Sequence, residues 1–342
     1  MKAVVLHRPG DIRCEEAAEP VPGPDEVLVR VRAAGVCGSD IPRALKTGAH
    51  RSPLILGHEF SGRIVESGNE VSGFTSGDRV TAYPLIPCRR CDQCRRGLFN
   101  LCDAYDYLGS RRDGAFAEFV AVPAANCLKL PENVGFETAA LTDPAAIALH
   151  ALLRAGMHPG ATALVVGAGT IGLLAVQWAR AMGAASVAAA DVLEEKLQAA
   201  RELGADPVVD ARGSDAAARL LAATDAQGFE VVVEASGSPG GQGLGVEIAR
   251  RRGRVVFLGI SHADLTLAEE QVDRILRREL SVQGSWNSVA PEEWRKTLDA
   301  MSLGEIGTGP FITHRYRLEE AAEAFRMIGS GREAYGKVMF LP

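Results

Sequence analysis

No cysteine occurs after residue 127, so the last 215 residues carry none. The seven present stand at 14, 37, 88, 91, 94, 102 and 127. A disulfide framework would spread its cross-links along a secreted chain. This clustering points instead to metal ligation in a reducing, cytoplasmic setting. Basic charge is in deficit as well: 37 Lys and Arg stand against 43 Asp and Glu, a net charge of −6. No global basic field is available for nucleic acid, and any anion site must be a local pocket. Long apolar runs are also missing. The run Ala3–Leu6 is too short for the core of a secretory signal. The uncharged stretch Pro159–Ala179 passes a crude membrane filter, but it holds Gly160, Gly167, Gly169, Gly172, Thr162, Thr170 and Gln177. A strand, a glycine turn and a buried helix explain it better than a membrane span. Neither a repeat period nor a low-complexity linker is seen.

What is present is ordinary for a soluble globular protein: 47% apolar and 23% charged residues. That balance excludes a mostly disordered chain, a coiled coil and a collagen-like repeat. A length of 342 residues suggests two domains. In the first part Val27, Val29 and Val31 alternate with Leu28, Arg30 and Arg32, the period of a half-buried strand. Short apolar runs at Arg63–Glu66 and Ala115–Val122, punctuated by Gly and Pro, complete a small β-rich domain.

After His158-Pro159-Gly160 the pattern changes. Strands are expected at Ala161–Val166, Ser186–Ala190, Val208–Val209, Val231–Glu234, Arg254–Leu258 and Leu280–Gln283. Helices are expected at Thr170–Met182 and Leu193–Leu203. Alternating strands and helices predict an α/β fold, a doubly wound parallel sheet covered on both faces. The tail from Ser285 holds two expected helices, Pro291–Met301 and Leu318–Ile328, and a last strand, Lys337–Leu341. The expected division is therefore 1–144 with 285–342 as one domain and 145–284 as the other.

Three constellations carry chemistry. The first is Gly167-Ala168-Gly169-Thr170-Ile171-Gly172, which follows an apolar strand and opens a helix. Asp191 lies 19 positions past Gly172, at the end of the next strand. That is the context a dinucleotide-binding turn requires, beyond a plain strand-to-helix turn. The glycines allow the tight turn and the close approach of a pyrophosphate, which the helix N-terminus attracts. Asp191 would accept hydrogen bonds from the adenosine ribose and repel a 2′-phosphate, which favours NAD over NADP. The second is Cys88, Cys91, Cys94 and Cys102, with gaps of two, two and seven residues. Four thiolates suit a closed tetrahedral zinc, whose excess negative charge Arg89, Arg90, Arg95 and Arg96 would offset. An iron–sulfur cluster, disulfides and a zinc-ribbon nucleic-acid module are the other readings. The acidic net charge disfavours the last.

The third constellation is dispersed: Cys37-Gly38-Ser39-Asp40, Gly57-His58-Glu59 and Asp143-Pro144. Singly each is bland, since a buried Cys is usually a small hydrophobe and a lone His a satisfied core residue. Together a thiolate, an imidazole and a carboxylate could hold zinc and leave one place open for water or substrate. Spacing alone does not show that they converge.

With all three motifs in order, the chain resembles the zinc-dependent medium-chain dehydrogenases/reductases over essentially its whole length. Such enzymes pair a doubly wound Rossmann domain with a β-rich GroES-like catalytic domain. The chain is most similar to their polyol-dehydrogenase branch. It shares with a phosphate-using member of that branch Pro42-Arg43, Gly48-Ala49-His50, Tyr105-Asp106, Gly109-Ser110-Arg111-Arg112-Asp113-Gly114 and Gly284-Ser285-Trp286. The resemblance implies two zinc ions per chain, one catalytic and one structural, and NAD as cofactor. It implies Cys37 and His58 as catalytic zinc ligands and Glu59 as an alternative ligand or a neighbour in exchange with water. Asp143 stands where the branch usually has Glu before Pro, one methylene longer; threonine dehydrogenases have Asp-Pro there.

Ser39 matches the hydroxyl that takes the alcohol proton. Pro42 stands where many relatives carry a relay histidine, so the proton would leave through water or His50. Lys196 matches a ribose contact, and Leu258-Gly259-Ile260 a further stretch against the nucleotide. Arg43, His50, Arg111, Arg112 and Trp286 are the substrate candidates, with Lys46 and Arg51 behind them. The activity implied is reversible oxidation of a secondary alcohol of a polyol or polyol phosphate to a ketone, by hydride transfer in a cleft between the domains. Homodimers or homotetramers are expected, with no nucleic-acid or membrane partner. A threonine 3-dehydrogenase-like or other zinc alcohol dehydrogenase is the alternative, and a non-catalytic NAD- or zinc-binding protein a lesser one.

Overall fold

The computed structural model describes residues 1–261 and 263–342. The chain divides into two compact units, Met1–Asp143 with Val289–Pro342, and Pro144–Ser288.

In the first unit the strand Glu26–Gly35 is the hub of a seven-stranded sheet. Its valines are buried and Arg30 and Arg32 point to solvent, as the alternation predicts; Leu28 is buried as well. Antiparallel to it run Glu59–Ser67 on one edge and Phe119–Pro123 and Lys337–Phe340 on the other. Several strands of this unit escaped the sequence reading, among them Lys2–Arg8, Asp11–Glu16, Arg79–Ala82 and Ile312–Tyr316. Ile312–Tyr316 pairs in parallel with Lys337–Phe340. Its apolar and polar residues give it only intermediate burial or exposure throughout, so it shows no clean period. The segment expected to be helical from Leu318 opens as a short 3₁₀ turn, Leu318–Glu320, and continues as a helix over Ala321–Ser330. Its Phe325 packs with Phe116 and Phe340, the closest pair having ring centroids 4.9 Å apart. These rings seal the core beneath the strand ends that carry the site.

The second unit has six parallel strands: Thr162–Val166, Ser186–Asp191, Val208–Asp210, Phe229–Glu234, Ala249–Phe257 and Ser281–Gly284. In space the third, second, first, fourth, fifth and sixth lie side by side. The order reverses after the first strand, the arrangement of a doubly wound dinucleotide fold. Ala163–Val166 and Val231–Val233 are almost wholly buried because helices cover both faces. That two-sided burial is why these strands read as continuous apolar runs. Helices Thr170–Ala181 and Glu194–Glu202 fall where expected. Helix Pro239–Ile248 carries Gly240, Gly241, Gly243 and Gly245, poor helix formers that concealed it in the sequence. Among the described residues no helix is long and apolar enough to cross a membrane.

Candidate active site

The hub strand ends at Gly35, and Cys37 follows in a tight turn. Asp40, fully buried, accepts a hydrogen bond from the Cys37 N–H at 3.0 Å, and its own N–H donates to the Cys37 carbonyl at 3.0 Å. The turn is thus locked by its own acid. His58 immediately precedes the neighbouring strand, which Glu59 opens. Gly57 before them has φ +94°, and a Cβ there would lie 2.4 Å from the Phe116 ring, so only glycine lets the chain pass. The result brings Cys37, His58 and Glu59 together, with one ligand atom from each inside 4.8 Å of the others. His58 and Glu59 are 98% buried.

Two further carboxylates surround this cluster. Asp40 Oδ1 stands 3.5 Å from His58 Nδ1. Asp143, in the first turn of helix Thr142–Arg154, is buried but lies outside the 4.8 Å group. Burial pushes its carboxyl up to about 7, the charge of Glu59 adding to the rise and that of His58 opposing it. Burial works against a charge on His58, yet Asp40 and Cys37 outweigh it and hold the imidazole well above its ordinary value. His58 Nδ1, Asp143 Oδ1 and Asp40 Oδ1 are buried with no hydrogen-bond partner. Buried polar atoms without partners are costly. A thiolate, an imidazole and carboxylates converging on such atoms fit a zinc ion held by three ligands with one place free.

Ser39 Oγ donates to Cys37 Sγ at 3.4 Å and accepts from Arg43 Nη1 at 2.9 Å. Arg43 also donates to the Ser39 carbonyl at 3.1 Å, so its guanidinium is turned onto the serine. An aromatic file leads outward from the site. The Tyr107 ring meets His58 edge-on at 5.5 Å, Tyr105 meets Tyr107 at 6.3 Å, and the exposed Arg111 guanidinium sits 4.6 Å over Tyr105. Arg112 is bound to Glu26 at 2.8 Å, and Arg51 to Asp113 at 2.8 Å. His50 and Lys46 are exposed.

Away from this cluster, Cys88, Cys91, Cys94 and Cys102 converge with all four sulfurs within 4.8 Å of one another. All are free thiols, so the disulfide reading falls. Cys91 caps the short helix Asp92–Arg95 and accepts from the Cys94 N–H. Backbone N–H groups of Arg90 and Cys91 bring the Cys88 thiol down to about 6, whereas burial pushes Cys94 up to about 12. Four sulfurs with amides directed at them fit a closed zinc site with no open place. Arg89 lies over Phe99 and Arg95 reaches the Arg90 carbonyl.

In the second unit Gly167 has φ +93° and a Cβ there would strike the Ser236 N–H at 2.6 Å; at Gly172 it would strike the Gly167 carbonyl at 1.9 Å. At Gly169 it would meet nothing within 4 Å, which leaves room beside the uncapped first turn at Thr170 and Ile171. Asp191 ends its strand as expected, and its carboxylate accepts N–H bonds from Ala168, Val192 and Leu193 at 2.7, 2.7 and 3.0 Å. Lys196 is half-buried on the following helix. Leu258-Gly259-Ile260 leaves the fifth strand, held by the Glu234 carbonyl. Trp286 is half-exposed beyond the sixth. Sequence reasoning missed Glu234. Fully buried, it collects the N–H groups of Ser236 and Gly237 and shapes the loop against Gly167. Its acidic identity at the end of an apolar strand was the available signal. It also missed Lys337, which no local motif marks.

The chain belongs to the zinc-binding dehydrogenases with a GroES-like alcohol dehydrogenase domain, and it is an enzyme of that class. The alcohol dehydrogenase GroES-like domain matches residues 23–132 and the zinc-binding dehydrogenase domain residues 170–302. Galactitol 1-phosphate 5-dehydrogenase of Escherichia coli (strain K12) is 38% identical over the full length of both chains. The crystal structure of the E. coli galactitol-1-phosphate dehydrogenase superposes with a TM-score of 0.94, covering all of both. L-threonine 3-dehydrogenase of Bacillus licheniformis is 34% identical over all of this chain and 99% of its own. A zinc-binding dehydrogenase of Sinorhizobium meliloti, solved bound to NADP, is 34% identical, with a TM-score of 0.92 over all of this chain and 99% of its own.

Proposed function

We propose that this dehydrogenase oxidises a secondary alcohol of a polyol or polyol phosphate to a ketone, with NAD as hydride acceptor. The observation that carries the reading is the cluster of Cys37, His58 and Glu59 with the Ser39 hydroxyl beside it. Cys37 and His58, with Glu59 or Asp143 completing the set, would hold a zinc ion, which would supply a Lewis acid that lowers the pKa of the alcohol. Ser39 Oγ accepts the alcohol proton, and Arg43, donating to the same oxygen, holds that hydroxyl in place. Arg43 cannot itself lose a proton, and Pro42 has none to exchange, so water or His50 carries the proton away. Cys88, Cys91, Cys94 and Cys102 would hold a second zinc that would brace its lobe and take no part in the chemistry.

Gly167, Gly169, Thr170, Ile171 and Gly172 receive the pyrophosphate, Asp191 and Lys196 the adenosine ribose, and Leu258-Gly259-Ile260 the strand-end side of the nucleotide. Trp286 is a further contact for the substrate. NAD should exceed NADP by at least about tenfold in kcat/KM, a difference of roughly 1.4 kcal/mol. Asp191→Ala should narrow that gap, since a carboxylate no longer opposes the 2′-phosphate. Initial rates with both cofactors check this, and equal use of NADP by the wild type refutes it.

The phosphate of the substrate is assigned to Arg111, with His50, Arg43 and Arg112 as the further candidates. Arg111 is the exposed member, while Arg112 already serves Glu26. A charge-assisted bond is worth about 1.5–3 kcal/mol, so Arg111→Ala should cost about tenfold to a hundredfold in kcat/KM for galactitol 1-phosphate. Galactitol itself should be little affected. A panel of polyols, their phosphates and L-threonine, followed by NADH absorbance, tests the whole reading. Activity on threonine alone would favour the amino-alcohol reading, to which Asp143-Pro144 lends support. We place the enzyme in the cytoplasm, where its thiols stay reduced, as a homodimer or homotetramer. The exposed edge strand Ser281–Gly284 and the exposed Val272 and Leu276 of the second unit support self-association.

A further inference from the structure

Lys337 places a fully buried ammonium beside the metal cluster, 278 residues from the carboxylate it meets. Its Nζ donates to Glu59 Oε2 at 2.5 Å and to the Val36 carbonyl at 3.0 Å. Both partners of the ion pair are only 2% exposed. Three adjacent strands set this up. The hub strand pairs Gly35 with Glu59 on one side and with Met339 on the other, so the first residue of the last strand faces the end of the hub. Gly35 supplies the corridor: a Cβ there would lie 2.6 Å from Glu59 Oε2 and 3.3 Å from Lys337 Cδ. The same Glu59 carboxylate lies within 4.8 Å of the donor atoms of Cys37 and His58. One carboxylate is therefore shared between a fixed cation and a metal site.

We propose that Lys337 is a positioning residue that holds Glu59 back from the metal and so keeps the remaining place open for the substrate alcohol. The inference rests on reading Cys37 and His58 as metal ligands with Asp143 completing the set, and Glu59 standing beside them within reach of the same ion. A buried carboxylate needs a counter-charge. With Lys337 present it has one that cannot move away. Without Lys337 the carboxylate turns to the metal for its counter-charge, and Glu59 closes onto it as an extra ligand. The lysine thus sets how many protein ligands the ion keeps.

The test is zinc release from the holoenzyme to a chelator, with the four-cysteine zinc as internal reference, in wild type, Lys337→Met, Lys337→Arg, Gly35→Ala and Glu59→Gln/Lys337→Met. Lys337→Met keeps the aliphatic stem and removes the charge. It should release the cluster zinc about tenfold more slowly, the scale of changes to groups that orient metal ligands, and kcat should fall by a similar factor. The Arg variant should behave like wild type. The double variant should regain fast release, because the carboxylate that closes on the metal is gone. Gly35→Ala wedges a methyl between the pair and should slow release with the charge intact. It decides the matter if Lys337→Met fails to fold. A pair that only supports the fold predicts the opposite: faster zinc loss, with no recovery in the double variant. Release at the wild-type rate or faster in the Met and Ala variants overturns the role of Lys337 alone. One zinc per wild-type chain overturns both this proposal and the metal-site reading.

Discussion

His58→Ala should leave the enzyme folded and reduce turnover by roughly a thousandfold or more, because the Lewis acid that brings the alcohol pKa from about 16 toward neutrality is lost or misplaced. Cys37→Ala should do the same. The cluster has no spare donor of equal quality. Glu59 is already engaged by Lys337, and Asp143 stands outside the group that Cys37, His58 and Glu59 form. Removing His58 also takes away the imidazole that stands 3.5 Å from Oδ1 of the fully buried Asp40. Metal analysis should show one zinc per chain in place of two, with the four-cysteine zinc retained. Asp143→Ala should be milder, since Glu59 lies among the clustered donors and can take the place that Asp143 vacates. Near-wild-type turnover in His58→Ala would remove the site from consideration.

Cys91→Ser should act on stability before it acts on chemistry. Its sulfur faces Cys102 at 3.9 Å, accepts the N–H of Cys94 and caps the helix Asp92–Arg95. Binding of a structural zinc contributes folding free energy directly, and losing it should cost on the order of several kcal/mol. Each kcal/mol corresponds to about 2–4 °C of Tm in domains of moderate size, so the melting transition should fall well outside measurement error. Zinc content should drop to one per chain. The cluster of Cys37, His58 and Glu59 is built at the end of the hub strand and the start of its neighbour, so part of the turnover should persist at low temperature. Two tightly held zinc ions in Cys91→Ser would contradict the closed four-thiolate site.

These effects trace back to features of different range along the chain. The glycine turn at Gly167–Gly172 and Asp191 could be read directly, because the turn, the strand before it and the helix after it are set by sterics and hydrogen bonds within a few residues. The four-cysteine lobe was equally plain, its ligands spanning only Cys88 to Cys102. Alternating Val and Arg from Val27 to Arg32 announced the hub strand because one of its faces meets water. Pro239–Ile248 was concealed by its glycines, and Ile312–Tyr316 by its lack of a clean burial period.

The sequence by itself determined the two-part organisation, the parallel nucleotide-binding sheet, the candidate zinc donors and their chemical types. Each depends on residue identity and short spacing. Only the tertiary structure decided that Cys37 and His58 meet, that Arg43 turns onto Ser39, that Arg112 is taken by Glu26, and that Lys337 neutralises Glu59. Those facts depend on which strand lies beside which, and in what register. A buried charge is stabilised only by a partner a few ångströms away. Nothing in the identity of Lys337 or Glu59 indicates that pairing across 278 residues until the hub strand brings Gly35, Glu59 and the last strand side by side.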